Sequence, residues 1–369
     1  MAFVVFWGTF FPLISEALTG DKQSLGPPWY DKYTVPLALV LVLLSGIGPV
    51  IAWRRATPAN ARRSFVWPAA TGVTTLIVLL ALGVGSKPKA LLMFGFGAFV
   101  IGTVAQEFTR GVRARRAMTG EAPPVALVTL VRRNRRRYGG YIIHLGMAAL
   151  FIGVAASSAF QHAHDVRMTP GQSARIGDGY VVKYEKVTSR IDTPKGKVER
   201  LVLGAQLGLF KDGKRVTTLR PERGYYPIEG APFAGALGRY FDGEATSEVA
   251  MDAGLRRDVW AAVQPDTTRL MAKVKEGDAI FRKAQGSMTD QQYAESLGAA
   301  ISGLVRNYAT DAPPATFRLI VSPLVAWIWI GGLIVLAGGL ICLWPAPDGA
   351  LRRARAGYAA RVARELGRA

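Results

Sequence analysis

The chain has 369 residues, half of them hydrophobic, and a formal net charge of +20 at pH 7. An apolar and strongly basic chain must keep its two kinds of residue in separate segments, which excludes an ordinary soluble globular protein. The single cysteine, Cys342, excludes an internal disulfide and a C-x-x-C thiol reductase site, and we interpret it as a small packing residue.

Six apolar runs follow one another along the chain. Five of them approach the ~20 residues with which a helix crosses about 30 Å of hydrocarbon. These five runs occupy about 34–53, 65–85, 89–107, 138–160 and 319–344. The first run, about 1–15, is shorter and has no basic region before it, so it does not resemble a signal peptide. We expect it to be a truncated span. The sequence thus predicts a polytopic α-helical membrane protein.

The segments between the runs differ sharply in basic content. Nineteen arginines fall in the loops 54–64 and 108–137 and in the tail 345–369, where few acidic residues oppose them. Short arginine-rich loops stay on the cytoplasmic side of a membrane. We therefore predict a cytoplasmic (inner) membrane protein. Its basic loops and C-terminus would lie in the cytoplasm and contact anionic lipid headgroups of the membrane. That setting argues against a nucleic-acid partner, and it places 161–318 on the extracytoplasmic side.

The segment 161–318 is predicted to be a β-rich extracytoplasmic domain. Stretches rich in strand formers stand at 180–187, 201–203, 216–219 and 259–263, the last of which closes the series. Asp212-Gly213 favours a turn. The pattern over about 267–308 then changes to two helices, which we expect to be a helical insertion, with Thr289 capping the second. Their apolar stripe favours packing on the sheet or on a partner.

His144 is the most informative single residue. It lies about six residues into the run 138–160, roughly 9 Å from the start of the span at 1.5 Å per residue. Ionisable groups within spans are rare and usually face a bundle interior. Gly139, Gly140 and Gly146 leave room for a flat cofactor or a neighbouring helix. Three interpretations stay open for His144: a hydrogen bond to an adjacent helix, ligation of haem or another metal, and a proton relay.

His162 and His164 form an H-x-H pair just after the same run. Such a pair could contribute to a metal site, but nothing in the sequence clearly completes a tetrahedral set of ligands. We interpret the two histidines as a solvated pair.

Several stretches resemble the C-terminal part of the CcmF/NrfE family of cytochrome c-type biogenesis proteins. The most specific is Asn134-Arg135-Arg136-Arg137-Tyr138-Gly139-Gly140-Tyr141, with His144 and Gly146 after it. Weaker matches stand at 8–13, 16–20, 26–30, 168–171, 221–227, 254–260 and 323–332. Together they cover nearly the whole chain.

The resemblance implies a haem lyase subunit. Members of this family take haem from a haem chaperone and attach it to the C-x-x-C-H thiols of an apocytochrome c, which thiol-reducing factors keep available. They also hold a haem b in the membrane between two histidines, and His144 matches the second, so the resemblance implies that His144 is an axial ligand of the haem iron. No family role carries over to His162 or His164, and none identifies a catalytic residue.

This chain lacks parts that the family possesses. The tryptophan-rich haem-handling motif and the other haem-binding histidines are absent, which implies a partner subunit or N-terminal half that carries them. The chain is expected to be inactive alone. An alternative is a non-catalytic membrane scaffold that docks the haem chaperone and the apocytochrome. A transporter is disfavoured, because the sequence shows no inverted repeat and no paired broken spans.

Overall fold

The structure is a computed structural model that describes residues 1–50, 58–194, 198–228, 235–243, 245–284, 286–345 and, within 356–367, all but 359 and 363. The chain divides into two compact units. A helical unit comprises Met1–Ala155 and Trp327–Ala369, and a β unit comprises Ala156–Ala326. Parts of the predicted loop 54–64 and tail 345–369 lie outside the described residues.

Nine α-helices are defined up to residue 345 in the described chain. They are α1 (Ala2–Thr19), α2 (Pro27–Ile47), α3 (Pro58–Ala81), α4 (Pro88–Thr119), α5 (Pro123–Arg133), α6 (Arg135–Ala159), α7 (Thr268–Ala284), α8 (Asp290–Thr310) and α9 (Val325–Leu343). Six of them, α1 to α4, α6 and α9, are long and apolar enough to cross a membrane, which confirms the predicted number of candidate spans. Prolines stand in the first turn of α2, α4 and α5, where the missing N–H costs nothing.

Two segments differ from the sequence prediction. The prediction of a single span over 319–344 is wrong at its start, because residues up to Pro323 belong to a strand and α9 begins only at Val325. Leu319 and Val321 are fully buried in the core of the β unit, and a short apolar run cannot be assigned to strand or helix by hydrophobicity alone. The segment 108–137, predicted to be a loop, is largely helical, because α4 continues to Thr119 and α5 follows it.

The β unit contains ten strands among its described residues. They are β1 (His162–Met168), β2 (Ser173–Gly177), β3 (Tyr180–Asp192), β4 (Arg200–Lys211), β5 (Lys214–Leu219), β6 (Glu222–Tyr225), β7 (Thr246–Glu248), β8 (Ala250–Asp252), β9 (Arg257–Pro265) and β10 (Ala315–Pro323). One sheet has the order β1-β10-β9-β8, and the other has the order β2-β3-β4-β6-β7 with β5 also paired to β4. The predicted β-rich character is confirmed, but the series does not close at 259–263, because β10 pairs with β9 along its whole length.

Two helices of the β unit, α7 and α8, occupy the segment in which the sequence predicts them. Thr289 caps α8 in a capping box, since its Oγ1 accepts from the backbone N of Gln292 and its own backbone N donates to the side chain of Gln292. Ile301 and Leu304 are buried in the same hydrophobic cluster as β3, β4, β9 and β10. The apolar stripe of α8 therefore packs on the sheet.

Candidate functional site

A cavity of about 430 Å³ lies in the helical unit beside the first three turns of α6. Its lining residues come from the end of α2, from the two residues after it and from one side of α6, and they are Leu44, Gly48, Pro49, Arg137, Gly140, Tyr141 and His144. The α6 residues share a side because residues three and four apart are neighbours on a helix surface. The structure therefore places His144 at a cavity large enough for a small molecule or part of a cofactor.

The imidazole of His144 has one buried nitrogen whose surroundings bear on its role. Its Nδ1 is buried and accepts or donates no hydrogen bond within the part of the chain that the structure describes. The proposed hydrogen bond from His144 to an adjacent helix is therefore absent among these residues at Nδ1. A buried ring nitrogen without a partner is costly, and a ligand or second polypeptide at this cavity would relieve that cost.

The three glycines near His144 divide into two roles. A Cβ built on Gly140 would meet no atom within 4 Å, so the space one turn before His144 is open. A Cβ on Gly139 would lie 2.6 Å from Cys342 Sγ, and one on Gly146 would lie 2.7 Å from the carbonyl O of Gly331. Gly139 and Gly146 thus permit close packing of α6 on α9. This contact gives Cys342 the packing role predicted for it.

A polar network holds the rim of the cavity and was not found by sequence reasoning. Glu107 of α4 is buried, and its Oε2 accepts from Arg137 Nη2 at 2.7 Å and from the hydroxyl of Tyr141 at 3.1 Å. Arg137 Nε also donates to the Tyr141 hydroxyl at 2.8 Å, and Arg110 Nη1 lies 3.3 Å from Glu107 Oε1. The sequence did carry a signal for this network, because Glu107 is a lone carboxylate within an apolar run.

This network has a consequence for the chemistry of the cavity. Glu107 fixes Arg137 and Tyr141 at the rim, yet the Arg137 side chain is still 61% exposed. A guanidinium fixed in this way can bind a carboxylate without first losing much side-chain freedom. The cavity therefore combines a histidine, an open apolar space and a cation, which fits a flat cofactor that bears acidic groups.

His162 and His164 belong to the β unit and not to this cavity. Both are exposed on β1, opposite Val321 and Leu319 of β10. Among the described residues, no group of three His, Cys, Asp or Glu side chains could hold a metal ion. The pair therefore gains no third ligand from that part of the chain.

Comparison with known proteins supports the resemblance seen in the sequence. The chain is 25% identical over 342 residues to the cytochrome c-type biogenesis protein CcmF of Pseudomonas aeruginosa, covering 92% of this chain and 41% of that protein. It is 27% identical over 344 residues to CcmF of Haemophilus influenzae, covering 92% and 42%. It is 28% identical over 265 residues to the cytochrome c-type biogenesis protein ccl1 of Rhodobacter capsulatus, covering 71% and 36%.

A solved structure shares the fold. The cytochrome c haem lyase CcmF superposes with a TM-score of 0.56 at 21% identity, over 93% of this chain and 43% of that chain. No protein-family model matches the chain. The chain spans about two-fifths of the length of the CcmF relatives that it matches. The predicted resemblance is confirmed, and this chain is a homologue of the C-terminal part of CcmF-type cytochrome c biogenesis proteins.

Proposed function

We propose that this chain is the C-terminal portion of a cytochrome c haem lyase and that His144 supplies one axial ligand to a haem b. The observation that carries the proposal is His144 Nδ1, which lies beside an open cavity and has no hydrogen-bond partner among the residues that the structure describes. The chain contains three histidines in all, and of these only His144 lies in the helical unit. The second axial ligand is therefore assigned to a partner.

The residues around the cavity have separate tasks in this proposal. A bound haem b would supply one-electron redox chemistry at this place. His144 would offer a ring nitrogen to the iron, Gly140 would leave the space that a flat ring system needs, and Arg137 would bind its carboxylates. Glu107 and Tyr141 hold Arg137 in place. The chain then positions and holds the group and performs no acid–base step itself.

The proposed partners are those that the family resemblance implies. We assign to a partner subunit or N-terminal half the tryptophan-rich haem-handling motif and the second ligand of haem b. The haem chaperone, the apocytochrome c and its thiol-reducing factors are the further partners. The chain spans about two-fifths of the length of its CcmF relatives.

The sidedness that we propose places the β unit outside the cytoplasm of an inner membrane, with the basic loops and C-terminus inside. The clustering of arginine in the loops supports it. Asp212, in the turn between β4 and β5, provides a test position. In a Cys342→Ala background, Asp212→Cys should react with a membrane-impermeant thiol reagent added outside. If Asp212→Cys reacted only after the membrane was broken, the β unit would lie on the cytoplasmic side and the proposed orientation would be wrong.

The ligand assignment is tested by the haem spectrum of the chain purified together with its N-terminal partner. His144→Ala should abolish the b-type bands of the reduced protein, while His162→Ala, which removes an exposed histidine of the β unit, should leave them unchanged. Gly140→Leu should also lower haem content, because it fills the open space beside His144. Full haem content in His144→Ala would favour the alternative, a non-catalytic scaffold subunit.

A further inference from the structure

A second cavity of about 520 Å³ lies in the helical unit, where the α5–α6 junction faces the C-terminal half of α9. Its lining residues are Val131, Arg132, Arg135, Ala337, Leu340, Ile341 and Trp344, and we call it the arginine groove. It shares no lining residue with the His144 cavity. The arginine groove is therefore a separate feature of the helical unit.

The two arginines of the arginine groove are in different states. Arg135 Nη1 donates to the carbonyl oxygens of Trp344, at 3.3 Å, and Pro345. These contacts occupy carbonyls at the end of α9 and join the start of α6 to that helix. Arg132 is exposed and makes no hydrogen bond or ion pair with any residue that the structure describes. The groove thus has one structural arginine and one free guanidinium.

The wall opposite Arg132 is apolar and open. Leu340 is 55% exposed and Trp344 is 68% exposed. The neighbouring helix α5 also exposes Val125, Leu127 and Val128. With 11 residues, α5 is too short to cross a membrane, for which a helix needs at least about 17. An apolar short helix that ends in arginines is typical of the boundary between hydrocarbon and headgroups.

The cation and the apolar wall together indicate which kind of molecule fits the arginine groove. A free phosphate would pair with Arg132 but would leave Leu340 and Trp344 uncovered. A neutral phospholipid would cover them but would bring no net charge to the guanidinium. Tryptophan is enriched at the headgroup level, and basic pockets between membrane helices bind anionic headgroups. The charge and the shape of the groove therefore match a lipid with a negative headgroup.

We propose that the arginine groove binds one anionic phospholipid. Its phosphate pairs with Arg132, and an acyl chain lies along Ala337, Leu340 and Ile341. Arg135 acts as a positioning residue, since its contacts with the end of α9 keep the two walls of the groove together. The site is independent of haem ligation at His144.

Native mass spectrometry of the full chain tests this site. The chain is purified in mild detergent, loaded with phosphatidylglycerol or with phosphatidylcholine, and the number of retained lipids is counted. Wild type should retain one phosphatidylglycerol and little phosphatidylcholine. Arg132→Gln should lower phosphatidylglycerol retention about fivefold, the effect of one basic side chain near an anionic headgroup. Arg113→Gln, which removes an exposed α4 arginine outside the groove, should leave retention unchanged.

A second pair of variants tests the apolar wall without changing charge. Ala337→Trp fills the groove and should also release the lipid, while Leu333→Trp, on an exposed part of α9 outside the groove, should not. Equal loss in Arg132→Gln and Arg113→Gln would overturn the proposal in favour of diffuse charge. Displacement of the lipid by excess inorganic phosphate would identify a phosphate site instead. Retention that Ala337→Trp does not alter would also overturn it.

Discussion

The β unit and the helical unit bury their apolar residues in different ways. Among the described residues, the hydrophobic cluster of the β unit contains 29 buried members, while that of the helical unit contains nine. Within the helical unit, 39% of the α4 span is buried, against 11% of the α9 span. In water such exposure would oppose folding, but lipid tails are as apolar as leucine. The β unit supplies its own core, whereas the helical unit needs lipid or another polypeptide around it.

This difference explains where the candidate sites occur. Both the His144 cavity and the arginine groove lie in the helical unit, at places where side chains stay open to what surrounds the helices. Under the proposed function, partner subunits, lipid or the cofactor would cover these surfaces. By comparison, the buried core of the β unit stabilises the fold.

The largest expected effect comes from removing a core aromatic residue of the β unit. Phe317 is fully buried in β10 and its ring packs edge-on against Tyr184 at 4.8 Å between centroids. Phe317→Ala should lower the free energy of unfolding by about 3–5 kcal/mol, as cavity-forming substitutions of buried phenylalanine do. Thermal or denaturant unfolding of the full chain in detergent measures this loss.

Leu336 provides the matched control on the helical unit. It is 58% exposed on α9, so Leu336→Ala removes contacts with lipid or detergent and not with a protein core. Its effect on the free energy of unfolding should stay within about 0.5 kcal/mol. If Leu336→Ala destabilised the chain as much as Phe317→Ala, the exposed side of α9 would also lie in a protein core, and the contrast between the units would be wrong.

A smaller effect is expected at the tight contact between α6 and α9, the place where the helical unit does resemble a packed core. A Cβ on Gly331 would lie 2.5 Å from the backbone N of Leu150, while one on the adjacent Gly332 would meet nothing within 4 Å. Gly331→Leu should cost about 1–3 kcal/mol through overpacking, and Gly332→Leu should cost little. Unfolding curves of the two variants in detergent measure the difference. Both variants replace glycine by leucine in the same helix, so the change in helix propensity is the same. Equal curves would contradict the close contact.

The sequence predicts much of this fold because the two units obey different local rules. Runs of apolar residues near 20 long predict the spans, and capping chemistry correctly predicts the start of α8 at Thr289. The short strands β6 to β8 are missed, because they have few residues and depend on pairing with distant segments. β10 is missed for a related reason: its apolar sequence continues into α9, and only pairing with β9 separates them.

The candidate site is predicted in part. His144 stands out as an ionisable group within an apolar run, and a cavity does lie beside it. The role of Glu107 requires the structure, since Arg137 and Tyr141 lie 30 and 34 residues away in sequence and meet it only when α4 and α6 pack together. Arg132 cannot be distinguished from its neighbouring arginines by sequence, because only the contacts of Arg135 show which of them is already bound.

The smallest expected effect concerns charge in the β unit, where ion pairs face water. Glu185 stands at the bulge of β3, and its carboxylate accepts from Arg215 at 2.8 Å and from Gln206 at 2.9 Å. Arg215 first, and Gln206 next, hold the pKa of Glu185 below its usual value of 4.5. The carboxylate therefore contributes stability above about pH 4.5, which is lost as the pH falls through the lowered pKa of the folded state.

Glu185→Gln should remove this contribution, so the variant should lose less stability than wild type on acidification below about pH 4.5. Because the pair is partly open to water, screening keeps the effect small, and added salt should reduce it further. Glu276→Gln is the control, since Glu276 is exposed on α7 and forms no ion pair in the described part of the chain. If both variants shifted the acid unfolding midpoint equally, net charge and not the Arg215 contact would govern acid stability.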